Sequence, residues 1–441
     1  MKRSLLIIIA VFLSFPLFAQ YEVRGGTGKP YLANSNGLTQ IYLLDGLAGA
    51  QISFTSSQSG AHQWYRYKQS IDDAVPIPCT QSGNTSVITD IQEGYGYYVA
   101  APYGTGYVWI VDYSNYVVQF SNLTVTEDEF SCERLILVAT ATMNPIYYYT
   151  STGVQNTLQR EFLLTYNTLQ WQDDNKVFTP VQVDTTLTEN YVFPEITLDN
   201  PPLINTTFTL SDFFANNFGI AQAITSDQYN AIKVEVHYTP ETNRVFGDNE
   251  KQDTPSPPDG STYTTGGSAP ISYTFTAYAN DPVATYYTWN VMKLDSASGS
   301  YNTIVRYNDR ILQYTFANQG TYLVRIDVND AQSTCTSSDS LYVIIGDTYM
   351  FIPNAFSPGS SIGVNDIFKV SFRSVTAFRA TIYNRLGIQL FQWTDPTQGW
   401  NGMVDGKFVP TGAYFVVVEW TDTGGKRHKQ ARDVNIVREK N

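Results

Sequence analysis

The sequence predicts an all-β protein of tandem β-sandwiches, closed at the C-terminus by a small antiparallel β-sandwich. Three observations carry that expectation. Short runs of alternating apolar and polar residues recur at about 8–12-residue spacing with Gly, Pro and Asn turns between them, the pattern of a sandwich. Aromatic residues make up 14% of the chain and include 32 tyrosines, a residue suited to a half-buried pleated surface. The 441 residues give room for three or four ordinary domains.

Residues 1–19 read as a secretory signal peptide. Lys2 and Arg3 precede an apolar run over 5–18 and the small residue Ala19, after which cleavage is expected; the run is too short to span a membrane. No cysteine stands at the cut to take a lipid, and no later stretch is long and apolar enough to cross a bilayer. The first sandwich is expected over 20–121, with strands at 41–44, 51–54, 62–67, 95–101 and 116–120. Trp64 stands where the core tryptophan of an immunoglobulin-like sandwich would, so core packing is its expected role. A second β-rich domain is expected over 122–246, with strands at 135–141, 146–150, 162–166 and 231–238 and one or two helical turns at 210–218. Residues 247–270 read as a linker, because Pro255, Pro257 and Pro258 lie among small, polar and charged residues that bury little apolar surface.

The third sandwich is expected over 271–346. It contains Tyr286-Tyr287-Thr288-Trp289-Asn290 and, later, Gly320-Thr321-Tyr322-Leu323-Val324-Arg325-Ile326-Asp327-Val328-Asn329-Asp330. Gly320 opens the second run, and Tyr322, Val324, Ile326 and Val328 alternate to one face. Together the runs resemble the PKD family of immunoglobulin-like domains, with Val291-Met292-Lys293 replacing the usual Gly-Asp-Gly. The resemblance implies a spacer or adhesion module.

The last segment, 347–441, carries five blocks in order. They are Pro353-Asn354-Ala355-Phe356-Ser357-Pro358; Asn365-Asp366-Ile367-Phe368; Tyr383-Asn384-Arg385-Leu386-Gly387; Gly399-Trp400-Asn401-Gly402; and Pro410-Thr411-Gly412-Ala413-Tyr414. This order resembles the gliding motility-associated C-terminal domain, the type B sorting domain of the Bacteroidetes type IX secretion system. Two departures stand out. The family's Asn-Gly-Asp-Gly loop is replaced over 359–363, which removes most carboxylates and any reason to expect calcium there, and Leu386 takes the place of a tryptophan. The resemblance implies recognition by the type IX outer-membrane translocon and docking on an outer-membrane barrel of the SprF/PorP kind. Pro353, Asn354, Phe356, Pro358, Asn365, Asp366, Phe368, Tyr383, Asn384, Arg385, Gly387, Gly399, Trp400, Gly402, Pro410, Gly412 and Tyr414 are the motif positions, and many are expected to shape turns and core rather than touch a partner.

Charge and reactive side chains narrow the function classes. A net charge of −13 repels nucleic acid, which is not expected as a partner, although Lys426, Arg427, Lys429, Arg432, Arg438 and Lys440 make the C-terminal tip basic. The three histidines, His62, His237 and His428, fall in three different segments, and no nucleophile elbow, zinc helix or phosphate loop is present. No catalytic, cofactor or metal site is therefore expected. The acidic runs Asp72-Asp73 and Glu127-Asp128-Glu129 read as solvated loops rather than as a glycosidase pair, and Asp327 with Asp330 as a strand leading into an Asx turn rather than a calcium site. Three cysteines allow one intrachain disulfide, expected between Cys79 and Cys132 with Cys335 left over. The tyrosine runs at 95–98, 147–149 and 286–287 suit ordinary strands or, where exposed, stacking on surface glycans or other surface proteins. The expected function is a non-enzymatic adhesin or structural surface subunit. An accessory subunit of the secretion or gliding machinery, and a carbohydrate-binding protein or hydrolase, are the alternatives.

Overall fold

The computed structural model describes residues 20–438 except 37–38, 104–105, 127–130, 190–192, 194, 253–263, 361–362 and 364. The expected signal peptide, the acidic run 127–129 and Pro255, Pro257 and Pro258 lie outside the described residues. The fold is all-β, as predicted, with immunoglobulin-like and fibronectin-like sandwiches in tandem. The chain divides into two compact units, Met1–Thr168 with Pro180–Ala231, and Leu169–Thr179 with Ile232–Asn441.

In the first unit, one sandwich faces a four-stranded sheet against a six-stranded one. Strand Gln51–Thr55 shows how the pattern works: Ile52 and Phe54 point into the core while Gln51 and Ser53 face outward. Trp64 is fully buried in that core and donates its indole N–H to Ser86 Oγ at 2.8 Å, as its position predicted. Thr39–Leu44 and Tyr107–Asp112 pair in parallel within the larger sheet. A second sandwich follows, to which strands Arg160–Gln172 and Val177–Glu189 contribute their residues up to Thr168 and from Pro180, the tip Leu169–Thr179 belonging to the second unit. The helical turns expected at 210–218 appear as Phe213–Asn217, where Asp212 Oδ1 accepts the N–H groups of Phe214 and Ala215, both at 3.1 Å. The other carboxylate oxygen of this buried aspartate accepts the Tyr113 hydroxyl at 2.6 Å.

The second unit holds the third sandwich and the C-terminal domain. The third sandwich buries Trp289 between a three-stranded and a five-stranded sheet, and Tyr322, Val324, Ile326 and Val328 line one face as their alternation predicted. Strand Val236–Glu241 pairs with Ile271–Ala279, so these residues complete the third sandwich rather than the second. Within the stretch expected to be a linker, Thr264–Gly267 forms a strand paired in parallel with Thr336–Ile345. Nearby, the buried Glu250 pairs with Arg244 at 2.5 Å, and Asn249 Nδ2 donates to the carbonyls of Val370 and Pro396 at 2.7 and 2.8 Å. Ser268 and Ser374, both fully buried, close the junction: the Ser374 N–H donates to Ser268 Oγ at 2.8 Å, and Ser374 Oγ donates to the Gly346 carbonyl at 2.7 Å. Tertiary pairing thus overrides a locally linker-like composition.

The cysteine expectation is corrected. Cys79 is the free thiol, seated in its own sandwich with Sγ donating to the His62 carbonyl at 3.5 Å, whereas Cys132 and Cys335 are both disulfide-bonded. Nearness along the chain misleads here because each cysteine's surroundings are set by strand pairing.

Candidate functional site

The C-terminal domain packs a five-stranded sheet whose strands run, in spatial order, Ala355–Phe356, Arg427–Ile436, Gly412–Asp422, Val375–Tyr383 and Gln389–Trp393. Its core closes on Trp400. The fully buried indole lies 5.5 Å from the Phe356 ring and 6.0 Å from Tyr414, and donates to the Met403 carbonyl at 3.0 Å. Phe368 packs 5.6 Å from Phe356 and exchanges both backbone hydrogen bonds with Trp400, at 2.8 and 3.0 Å. Gly399 permits that approach, since a Cβ there would stand 2.5 Å from the Phe368 carbonyl oxygen. Gly402 is needed for two reasons: its φ is +78°, and a Cβ would meet Pro358 Cγ at 2.7 Å.

The other motif residues shape turns and strand ends. The half-buried Pro353 leads into Asn354, whose carbonyl accepts the Asn435 N–H at 2.8 Å where Ala355–Phe356 joins the last strand. Asn365 adopts φ 56°, and its carbonyl accepts the Ser357 N–H at 2.8 Å, while Asp366 Oδ2 accepts the Gly363 N–H at 2.5 Å. Beyond Tyr383, Asn384 Oδ1 accepts from the N–H groups of Leu386 and Ile388 at 2.9 and 3.0 Å, and Gly387 takes φ +78°. The Pro410 carbonyl accepts the Tyr414 hydroxyl at 2.8 Å. Gly412 leaves room for Arg385, whose Nη2 would lie 3.0 Å from a Cβ there. Most motif positions therefore hold the domain together.

One end of the sheet is different. There the 384–388 turn, the start of strand Gly412–Asp422 and the end of Arg427–Ile436 come level, since Tyr383 pairs with Phe415 and Gly412 with Ile436. Leu386 is 83% exposed at this end, and Ile388, Phe408, Phe415 and Val437 are exposed with it. Cations frame these apolar side chains. The Arg438 guanidinium lies over the Phe408 ring at 5.0 Å, and Arg385 reaches toward Gly412. Burial pushes the Tyr414 phenol up, and the nearby Arg385 and Arg438 partly offset that rise. Residues 347–441 hold 11 Lys and Arg against 8 Asp and Glu, in a chain that holds 27 against 40 overall. In the sequence Leu386 stands out only as an apolar replacement for the family's tryptophan; its exposure and its alignment with Phe415 and Val437 were not readable, because both depend on strand register.

Elsewhere the candidate side chains serve structure. His62 Nδ1 contacts Ser86 Oγ at 2.8 Å in the first core, His237 pairs with Glu235 at 2.9 Å, and His428 pairs with Asp422 at 2.8 Å. Asp73 accepts the N–H groups of Lys68 and Gln69, at 3.0 and 2.9 Å. Asp330 accepts from the N–H groups of Gln332 and Cys335, at 3.2 and 2.7 Å, which is a turn. Asp327 is taken up by Arg325 and Ser338 at 2.7 and 2.6 Å. Among the described residues no group of three or more His, Cys, Asp or Glu could hold a metal ion, and no helix is long and apolar enough to cross a membrane.

No curated protein matches the chain. Among solved structures, dimeric latent PorU from Porphyromonas gingivalis is 12% identical over 76% of this chain and 36% of its own, with a TM-score of 0.16. Sidekick-1 immunoglobulin domains 1–5 are 10% identical over 93% of this chain and 99% of theirs, at 0.23. The native E. coli alpha-2-macroglobulin is 8% identical over 95% of this chain and 29% of its own, at 0.18. This chain thus spans about a third of PorU, and at such scores none of these likenesses bears on function. The family models are more telling. Residues 124–226 match a fibronectin type III domain, and residues 350–433 match the CHU_C type IX secretion signal domain, the same segment that holds the five blocks. Domains of these kinds are non-catalytic, and a signal of this family implies export and surface attachment through the type IX machinery. The chain carries a CHU_C type IX secretion signal domain at 350–433 behind a fibronectin type III domain at 124–226.

Proposed function

We propose that this is a non-enzymatic surface protein, held at the outer membrane by a barrel of the SprF/PorP kind, whose sandwiches project as an adhesin or structural subunit. The observation that carries the docking part is the exposed end of the C-terminal domain. Leu386, Ile388, Phe408, Phe415 and Val437 stand in water there, although the domain has its own complete core around Trp400. Large apolar side chains grouped at one end and rimmed by Arg385 and Arg438 have the composition of an interface centre, where aromatic and Arg residues are enriched. The signal peptide expected over 1–19 supplies the first export step.

An affinity pull-down of the tagged, natively expressed protein from detergent-solubilised outer membrane tests this reading. A strain truncated before Tyr349 is the control. An integral barrel that co-purifies only with the intact chain supports the proposal, and an intact protein found alone in the medium overturns it. A barrel recovered at fixed stoichiometry together with other machinery components would instead mark an accessory subunit of the secretion system.

A further inference from the structure

We infer that the third sandwich carries a binding groove for a neutral polysaccharide. The groove lies beside the start of strand Ala284–Leu294 and the 308–310 turn, measures about 520 Å³ and is lined by Thr285, Tyr286, Tyr287, Asn308, Asp309 and Arg310 among others. That volume falls within the range of small-molecule clefts, roughly 300–1,000 Å³.

A β-bulge builds it. The pairing of Ala284–Leu294 with Gly320–Asp330 slips between Ala284 and Tyr286, so the strand carries one extra residue. Bulges of this type re-aim a side chain. Here Thr285 and Tyr286 both face solvent before the regular alternation resumes at Tyr287, and Tyr286 is 54% exposed. Ordinary strand packing explains the other tyrosine runs, in which Tyr97 and Tyr148 point into cores. It does not explain a bulge that turns an aromatic ring outward beside a concavity.

The chemistry around the ring suits a sugar. An exposed aromatic face stacks on the C–H face of a pyranose, and planar amide, carboxylate and guanidinium groups bond pairs of adjacent hydroxyls. Asn308, Asp309 and Arg310 supply one of each, all exposed. Below them Tyr287 is only 8% exposed, and its hydroxyl is a buried polar atom with no hydrogen-bond partner among the described residues. The Arg310 guanidinium holds that ring from above at 4.9 Å and pairs with Asp281. The cation of the lining, Arg310, is offset by Asp309 beside it and already pairs with Asp281, so the groove favours a neutral chain over an anionic one.

The inference gives the adhesin reading its ligand class. It rests on that reading only for its place at the cell surface, since binding is measured without any barrel. Purified protein spanning 20–441 is titrated calorimetrically with cellohexaose, xylohexaose, mannohexaose and laminarihexaose, and with polygalacturonate as the anionic counterpart. At least one neutral hexasaccharide is expected to bind at about millimolar concentration or tighter. Tyr286→Ala should weaken that binding about ten-fold or more with an unchanged melting temperature, while Tyr286→Phe retains it. The control Tyr147→Ala, on an exposed tyrosine of another domain, should leave it intact. Failure of all four neutral sugars to bind, a preference for polygalacturonate, or unchanged binding in a folded Tyr286→Ala would each overturn the inference, whatever the pull-down shows.

Discussion

The third sandwich and the C-terminal domain are built alike and exposed differently. Each closes a five-stranded sheet and centres its core on one fully buried tryptophan, Trp289 or Trp400. Their surfaces then diverge. The third sandwich offers a polar groove with one exposed tyrosine, a carboxylate and a guanidinium, whereas the C-terminal domain offers an apolar end framed by arginines. The difference teaches that the interior chemistry of such sandwiches is interchangeable, while what each can bind is decided by bulges, turns and the ends of strands.

The largest effects should appear where the two domains agree. Trp400→Ala and Trp289→Ala should each cost about 3–5 kcal/mol of stability in chemical denaturation, because both rings are fully enclosed. A much smaller loss at one of them would break the likeness of the cores. Next comes the junction that joins them. Ser374→Ala removes an oxygen that donates to the Gly346 carbonyl and accepts the Ala269 N–H, so a loss of about 1–3 kcal/mol is expected by the same assay. A neutral result would mean that this buried contact adds nothing to the joint.

The contrast between the surfaces is sharpened by a pair of exposed substitutions. Leu386→Asp with Phe415→Asp should change stability by no more than about 0.5 kcal/mol, yet abolish barrel co-purification and leave hexasaccharide binding intact. Tyr286→Ala should do the reverse, and a variant that lost both properties would merge the two surfaces into one. The smallest effect concerns pH. The His428 hydrogen bond, with those from the Lys426 and Gly424 N–H groups, holds the Asp422 carboxyl below its ordinary value. Its stabilisation is present above the unfolded carboxylate value of about pH 4 and fades as pH falls below it. Asp422→Asn should therefore flatten the acid limb of the C-terminal domain's stability curve by slightly lowering stability at neutral pH and leaving it nearly unchanged in acid, where Asp422 is protonated in both states. An unaltered acid limb would show that this ion pair is idle.

Much of the fold was legible because strand alternation is a local signal. Tyr322, Val324, Ile326 and Val328, the placement of Trp64 and the five C-terminal blocks all followed from neighbours within a few residues. What was hidden depends on distant pairing. Thr264–Gly267 looks like linker until Thr336–Ile345 is placed beside it, and Asn249 finds its partners, Val370 and Pro396, far along the chain. The same holds for the cysteines. At the C-terminal end, the motif did not separate residues that hold the core, such as Trp400, from residues that face water, such as Leu386, because that division is set by register.

One recurrent pairing has a mechanical side. Three times an early strand of a domain lies parallel to a late one: Thr39–Leu44 with Tyr107–Asp112, Thr264–Gly267 with Thr336–Ile345, and Ala355–Phe356 with the end of Arg427–Ile436. When a domain of this kind is stretched by its two chain ends, such strands slide along each other, and their hydrogen bonds are strained together rather than opened one at a time as in a zipper. Resistance to force is governed by the rate of unfolding rather than by equilibrium stability. A chain anchored at its C-terminal domain and tugged at its far sandwiches would therefore meet a series of shear clamps, the arrangement a tether needs if it is to hold under drag.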